Sequence, residues 1–477
     1  MRFCNYWTDR REIVQKVRAS YYMRNGHVGS RFKLAMTGVT VSVVLASCST
    51  SSSASPTNAS PVRAPSEFTT NISSIPPETS IPTRSISLGM RPVANDDIFV
   101  MGIRQGWFKD VGITITPPPY GNKSTFADAV PLLQNGTLDL EALNPVDMIA
   151  SLGTVKNVKF IALSDIFQGY QILAAPSTQD KTLPEFIASG MSFKQALRAT
   201  LMQLKGQTFT IPPGVGDRGF LNTAFSTVGL NMSSLTNVVV TPDSNMLALA
   251  AGGSLKYVTN EAAPFAAQFL ADGWKPLVTP LDLLKYLPGG VHGAGELLVQ
   301  TPGVAANSAW LATHPGDALR FTSTMFRIIN AEHINPTQQL SYMQNFLNGF
   351  AGTNLTISSL EMNINALDPL VGFSSQSEFF DKTTSPFYIR TVFQSEVSFD
   401  ESKGVLPAGK YSYHSLIAAG EIYHELVALK KGSQNLIAEA ASKTLTPKAT
   451  KLLAAAKVAS AEFDYYDAYR LVKAALG

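Results

Sequence analysis

One short stretch of the chain combines residue types that hold small charged groups. It reads IPPGVGDRGF over residues 211–220 and places three glycines and two opposite charges directly after a short apolar run. A glycine-rich loop between a strand and a helix offers free backbone N–H groups at a helix N-terminus, which suit an anionic group. A phosphate cradle, a catalytic elbow and a plain turn all agree with this pattern. The nucleotide interpretation is weak because no lysine followed by Ser or Thr comes after the last glycine.

Thiol, metal and catalytic-triad chemistry are not expected in the body of the protein. The two cysteines are Cys4 and Cys48, so the body offers no disulfide, thiolate nucleophile or cysteine-based metal site. The six histidines are not spaced as metal ligands. YHELV at 423–427 begins like a zinc-protease helix, but position 428 is Ala, and we interpret His424 as a surface residue. With no G-x-S-x-G motif either, we expect a protein that is not an enzyme and needs no cofactor or metal.

The N-terminus indicates export. Basic residues precede the apolar stretch 34–45, which is too short to span a bilayer and fits a secretory signal peptide over residues 1–47. The following LASC resembles a bacterial lipobox, which predicts cleavage before Cys48, lipidation of that cysteine and attachment to the outer face of a membrane. A plain signal peptide with a chance cysteine is the alternative, and Met23 is a candidate for the true start. Residues 48–84 are rich in Ser, Thr and Pro, which predicts a flexible tether.

The charge balance argues against nucleic acid as a partner. The formal net charge of +3 comes from the basic residues of the first 47 positions, and the remaining body carries −3. The body shows no stripe of Lys and Arg interleaved with aromatic residues. With 45% hydrophobic and 15% charged residues, the chain has enough apolar side chains for a large core.

The loop at 211–220 must be positioned by an α/β framework. From Ser85 onward, short apolar strands alternate with amphipathic helices, which predicts a mostly parallel sheet flanked by helices. A second passage repeats this plan at a spacing of 117 residues, which relates VGI at 111–113 to VGL at 228–230 and Asn144 to Glu261. The repeat indicates two similar lobes.

Two apolar segments flank the second lobe, and a helical part follows it. The segments are 168–176 and 295–303, and we expect them to form a two-stranded hinge. Beyond residue 302 the apolar side chains recur every three or four positions, which predicts packed helices to the end of the chain.

Several motifs in order resemble one family. QGWFKDVGI, LLQNGTLDL, NPVDMIA, LKGQTFTIPPGVGDRGFL, MLALAAGGSL and NEAAPFAAQF, between about residues 85 and 300, resemble the nitrate, sulfonate, taurine and thiamine-precursor group of ABC-importer substrate-binding proteins. The resemblance implies the type II periplasmic-binding-protein fold. Lobe 1 would comprise 85–170 and 296–477, including the helical extension, and lobe 2 would comprise 171–295.

The resemblance also implies which loops hold a small solute. In such folds the ligand lies beyond the carboxyl ends of the strands, between the lobes. The loops transferred onto this chain contain Arg91, Asn95, Asp96, Tyr120, Gly121, Asn122, Asn144, Pro145, Ser164, Gln168, Gly214, Gly216, Asp217, Arg218, Asn260 and Glu261.

Some of these roles stay open on the sequence alone. Arg91 or Arg218 could form a bidentate pair with a carboxylate or sulfonate, but Arg218 could equally pair with Asp217 at a helix N-terminus. Asn144 could be a helix N-cap rather than a ligand contact. The loop offers Gly, Asp and Arg where relatives offer Ser or Thr, and Glu261 stands where relatives often have Asp, so the ligand's charge is undecided.

The leading hypothesis is a monomeric receptor that captures a small anionic or zwitterionic organic solute and delivers it to an ABC permease. It would lie outside the cytoplasm, anchored through Cys48. A ligand-sensing subunit for another membrane partner is the alternative. A pyrimidine-forming enzyme on the same fold fits less well, because such relatives depend on a cysteine-rich iron motif that the body lacks.

Overall fold

The computed structural model describes residues 68–213 and 216–477. The predicted signal peptide, the lipidation site Cys48, the tether up to residue 67 and Gly214 lie outside the described residues. These parts of the prediction therefore have no structural counterpart below.

The first sheet is mostly parallel and carries one returning strand. Its order is β2-β1-β4-β11-β5, and the short β3 pairs alongside β1. Strands β2, β3 and β4 run parallel to β1, whereas β11 runs antiparallel to β4 and β5. The strands are β1 (Arg84–Met90), β2 (Ile113–Thr116), β3 (Asn122–Lys123), β4 (Leu140–Leu143), β5 (Val158–Leu163) and β11 (Gly303–Asn307).

The second sheet has the same plan. Its order is β10-β6-β9-β7-β8, in which β8 and β9 run parallel to β7, and β6 runs antiparallel to β9 and β10. The strands are β6 (Gln171–Ala174), β7 (Thr208–Ile211), β8 (Asn237–Val240), β9 (Tyr257–Asn260) and β10 (Lys275–Val278). Read from the opposite end, the order β8-β7-β9-β6-β10 matches β2-β1-β4-β11-β5 strand for strand, which explains the internal repeat in the sequence. In each sheet the antiparallel strand is the one that arrives from the other lobe.

Short helices connect the strands of both lobes. Five of those described have Asn, Thr or Ser as the N-cap, the residue types that favour this position. They are α1 (Phe99–Gln105), α2 (Trp107–Asp110), α3 (Ala129–Gln134), α4 (Pro145–Ile149), α5 (Leu183–Ala188), α6 (Phe193–Met202), α7 (Arg218–Ser226), α8 (Met232–Leu235), α9 (Asp243–Ala251), α10 (Ala267–Ala271) and α11 (Pro280–Leu284).

The part of the chain after β11 is helical. These helices are α12 (Ser308–Thr313), α13 (Pro315–Ile334), α14 (Pro336–Ala351), α15 (Ile357–Leu367), α16 (Ser377–Phe380), α17 (Ile389–Ser402), α18 (Tyr413–Leu416), α19 (Ala419–Ala441), α20 (Pro447–Ala461) and α21 (Tyr465–Leu476). They cover both faces of the first sheet, and Phe99, Phe108 and Phe321 form one ring cluster with centroids 5.2–6.5 Å apart. The predicted two-lobed α/β fold with a helical C-terminal part is confirmed.

The two lobes are linked where two chain segments cross. Phe167 and Gln300 form an antiparallel bridge, in which each backbone N–H donates to the other residue's carbonyl, at 2.8 and 3.0 Å. One segment continues into β6 and the other into β11. The second predicted hinge segment therefore pairs, through Gln300, with Phe167, which lies one residue before the first predicted segment.

The predicted tether is wrong for its last part. Phe68 is buried in the core of the first lobe, and the backbone N–H of Thr69 donates to Glu425 at 2.8 Å. Lys473 donates to the carbonyls of Ser73 and Ile75 at 2.8 and 2.7 Å. Residues 68–83 thus lie against the C-terminal helices, because isolated apolar residues among the Ser, Thr and Pro provide packing contacts.

Among the described residues, every helix is too short or too polar to cross a bilayer.

Candidate functional site

A cavity lies between the lobes, at the carboxyl ends of the parallel strands. Arg91 follows β1, Asn144 follows β4, Pro212 follows β7 and Glu261 follows β9 directly. The cavity measures about 20 Å³, room for about one water molecule. Any larger solute therefore requires the lobes to move apart. The lining residues are Arg91, Val93, Asn95, Phe126, Asn144, Asp147, Phe167, Tyr170, Pro212, Gly216, Asp217, Asp243, Glu261 and Pro302.

Arg91 is a buried cation at the carboxyl end of β1. Its Nε donates to Asp96 at 2.6 Å, and its Nη1 donates to Asp147 at the start of α4. Its guanidinium lies over the Phe126 ring, 4.8 Å from the centroid. Burial raises the pKa of Asp96 to about 7, although Arg91 opposes this shift. The donors of Arg91 are thus largely used by carboxylates of its own lobe.

The second lobe contributes carboxylates to the opposite wall. Asp217 precedes α7 and Asp243 begins α9; their exposures are 2% and 6%. Burial, followed by the neighbouring Asp243, raises the pKa of Asp217 to about 7, and burial raises that of Asp243 to about 7. Burial likewise raises the pKa of Glu261 well above its usual range, with Asp243 adding to the shift. The wall is therefore acidic, and its acids hold their protons more tightly than in water.

Gln300 connects the two lobes beside the cavity. Its side-chain amide donates to the carbonyl of Gly216 at 2.5 Å, and its Oε1 accepts from Asn144. Asn144 also caps α4, because its Oδ1 accepts from the N–H of Val146 at 3.2 Å. The predicted N-cap role of Asn144 is therefore correct, and the same residue lines the cavity.

The structure places some of the predicted site residues in the cavity lining and others outside it. Arg91, Asn95, Asn144, Gly216, Asp217 and Glu261 line the cavity. Asp96, Pro145, Ser164, Gln168 and Asn260 are buried but do not belong to the lining. Solute contact by any of them stays a prediction.

Three predicted residues lie away from the cavity. The Tyr120 hydroxyl accepts from Arg104 at 2.9 Å, and its ring packs against Phe346 of α14. Gly121 and Asn122 lead into β3, which pairs along β1. This loop turns towards the C-terminal helices because Tyr120 finds its apolar partner there, which the sequence pattern did not indicate.

Arg218 forms an ion pair with a helix of the C-terminal part. Its Nη2 donates to Asp400 of α17 at 3.0 Å, so it joins the second lobe to the C-terminal helices. Asp217 stands at the N-cap position of α7 without a side-chain capping bond. The mutual ion pair expected from adjacent opposite charges is replaced by a partner 182 positions away.

The sequence reasoning missed several lining residues. Asp147 and Asp243 look like ordinary acids in the first turn of a helix, and Tyr170 looks like part of an apolar hinge segment, as does Gln300 beside the lining. Asp147 could have been found, because it stands three residues after Asn144 and so lies one helical turn further on at the same end of the sheet. The described residues contain no group of three or more His, Cys, Asp or Glu side chains arranged to hold a metal ion.

Comparisons with solved structures find binding proteins and an enzyme. The alkanesulfonate-binding protein SsuA from Xanthomonas axonopodis pv. citri, bound to MOPS, is 12% identical with a TM-score of 0.49, covering 71% of this chain and 99% of its own. The periplasmic nitrate-binding protein NrtA from Synechocystis PCC 6803 is 12% identical with a TM-score of 0.48, covering 74% and 90%. The desulfurization enzyme DSZB is 10% identical with a TM-score of 0.45, covering 72% and 99%. Likenesses at these values carry no argument about function.

The comparison of sequences assigns the family. No curated protein matches the chain. The profile of the NMT1-like family matches residues 79–333, which include both sheets, the crossing segments and every described lining residue of the cavity. Because this match spans more than half of the chain, the protein belongs to the NMT1-like family.

Proposed function

We propose that the protein is the substrate-binding component of an ABC import system and closes its two lobes over a small organic solute. The observation that carries this proposal is the cavity itself. It is lined by polar side chains from both lobes, at the carboxyl ends of parallel strands, where open α/β sheets bind ligands. The lobes are joined at the Phe167–Gln300 crossing, a geometry that suits hinge closure.

The proposal includes the protein's place in the cell. The lipobox-like LASC supports an extracytoplasmic protein anchored through Cys48, which would keep the solute-loaded form near a permease. Delivery to an ABC permease and a monomeric state are parts of this proposal. A sensing subunit would use the same cleft and differ only in its membrane partner.

A thermal-shift screen of the full chain tests solute capture. Sulfonates, nitrate, carboxylates, pyrimidines and amines would each be added in large excess. A ligand at 100 to 1,000 times its dissociation constant should stabilise the protein by about 3–4 kcal/mol. A melting temperature unchanged by the whole panel would contradict solute capture.

Uptake in cells separates import from sensing. A strain lacking the protein should fail to accumulate the radiolabelled solute that the screen identifies, and the wild-type chain should restore accumulation. A Cys48→Ala variant tests the anchor, and we expect it to restore accumulation poorly. Unchanged uptake in the deletion strain would favour the sensing role.

A further inference from the structure

The charges around the interlobe cavity are unequal. Four carboxylates line it, from Asp147, Asp217, Asp243 and Glu261, whereas Arg91 is the cation among its described lining residues. Arg91 already donates to Asp147, and it also donates to Asp96 behind the cavity wall. When all these acids are ionised, the lining therefore carries an excess of negative charge.

Two buried carboxylate oxygens of this lining lack a hydrogen-bond donor. Within the described part of the chain, Asp217 Oδ2 and Asp243 Oδ1 are buried without a hydrogen-bond partner at normal distance, and the Asn260 amide beside Asp243 lowers the pKa of that carboxyl. Both side chains are more than nine-tenths buried. A buried carboxylate without a donor is costly, and a bound N–H group would remove that cost. The orphaned oxygens therefore point to a ligand that donates hydrogen bonds to the second-lobe wall.

The surroundings favour an organic cation over a metal ion. The described residues hold no cluster of acids or histidines arranged for metal coordination. The lining instead includes the rings of Phe126, Phe167 and Tyr170, and the Phe126 ring already has a guanidinium over its face. Aromatic faces attract cations, and carboxylates accept hydrogen bonds from ammonium and amidinium groups.

We propose that the solute of this cleft is an organic cation with N–H donors, an amine or an amidine, whose charged group lies against Asp217 and Asp243. This inference rests on the proposed solute-binding function and names its substrate class. It replaces the anionic or zwitterionic solute expected from the sequence, because Arg91 and Arg218, the expected anion partners, both donate to carboxylates of the protein itself.

Matched probes of one size and different charge test the inference. Benzylamine, benzyl alcohol and benzoate form one series, benzamidine and benzamide a second, and agmatine, ethanesulfonate and nitrate extend the range. Each is titrated into the full chain by calorimetry at pH 8, with thermal shift as a second measurement. We expect at least one cation to bind, and to bind at least about tenfold more tightly than its neutral and anionic counterparts.

The outcomes distinguish this inference from the proposed solute-binding function on which it rests. Binding of a neutral or anionic probe without binding of any cation overturns the inference and leaves solute capture standing. Failure of every probe counts against both. Preference for a cation over its isosteres supports both.

Variants locate the charged group. Asp217→Asn and Asp243→Asn should each weaken binding of the best cation by about tenfold or more, because each removes a charged acceptor. The control is Glu396→Gln, which neutralises an acid of α17 that is equally buried and lies outside the cavity lining. Equal cation affinity in all three variants would overturn the assignment. If an Asp variant folds poorly, the wild-type chain still tests the inference. Its affinity for the cation must fall at 0.5 M salt and as the pH drops from 8 to 6.

Discussion

At the scale of single residues, Gly216 makes the narrow cavity possible. A Cβ at this position would lie 2.1 Å from the Tyr170 hydroxyl, closer than any real contact. The Gly216 carbonyl accepts a hydrogen bond from Gln300, which holds the backbone of Gly216 against the Tyr170 ring. Gly216, the second glycine of IPPGVGDRGF, is therefore explained by the close approach between a loop of one lobe and a buried tyrosine of the crossing segment.

Gly216→Ala should impair closure. The added methyl group must displace Tyr170 or the loop, and such overpacking costs about 1–3 kcal/mol. We expect weaker solute binding and a lower free energy of unfolding, measured by calorimetry and urea denaturation.

Gly349→Ala is the matched control. Gly349 lies in α14, and among the described residues nothing stands within 4 Å of a Cβ placed there. Replacing a helical glycine by alanine should raise stability by about 0.5–1 kcal/mol and leave solute binding unchanged. If both variants affect binding alike, the close approach at Gly216 is not what limits the cleft.

Site residues were predictable where they follow a strand directly. Arg91, Asn144 and Glu261 each come immediately after a parallel strand, so the general rule for α/β sheets placed them at the cavity. The pairing of Arg218 was not predictable, because its partner Asp400 belongs to a helix far along the chain, which no local pattern relates to the loop. The local sequence thus predicted which residues lie at the edge of the sheet, whereas long-range packing determined which side chains form ion pairs.

At the scale of elements, Gln300 ties the crossing segment to both lobes. It accepts from Asn144 of the first lobe and donates to Gly216 of the second. At least one of these bonds must break or lengthen when the lobes separate, because their partners lie on opposite sides of the cavity. The closed form is thus stabilised at the hinge itself.

Gln300→Leu should shift the free protein towards an open form. The loss of the bond that bridges the lobes corresponds to about 0.5–1.5 kcal/mol, enough to change a two-state population by up to about tenfold. We expect a larger radius of gyration in small-angle X-ray scattering and weaker solute affinity.

Gln376→Leu provides the comparison. Gln376 is equally buried, but its amide donates to the carbonyls of Leu163 and Val371 on the first-lobe side. This variant should lower stability without enlarging the protein. Identical scattering of the Gln300→Leu variant and the wild type would refute a role for Gln300 in closure.

The element pattern was the most predictable level of the structure. Parallel strands buried on both faces read as apolar runs, and the repeated plan of the two lobes appears in the shared strand order. The segment 68–83 was not predictable in this way. Phe68 finds its place only because the last helices of the chain lie beside it, and composition alone assigned it to a tether.

At the scale of the whole molecule, buried acids make stability depend on pH. Burial raises the pKa of Asp96, Asp217 and Asp243 to about 7, and that of Glu141 and Glu396 to about 8. In the unfolded chain these groups titrate near 4. Between about pH 4 and 8 the folded protein therefore binds more protons than the unfolded one, so the free energy of unfolding falls as the pH rises.

The free protein should accordingly melt at a higher temperature at pH 5 than at pH 8. Glu396→Gln should reduce this dependence without affecting binding, because it removes one titrating group outside the cavity. Asp217→Asn should also reduce it, because burial and the nearby Asp243 raise the pKa of Asp217, with Asp147 adding to this shift and Arg218 opposing it. Calorimetric scans from pH 5 to 8 measure both effects.

Affinity for a cation should move the opposite way and rise with pH, since ionised acids bind the cation and protonated acids do not. A free protein that gains stability from pH 5 to 8 would contradict the raised pKa values, because it would show that these acids are already ionised in the fold at pH 5.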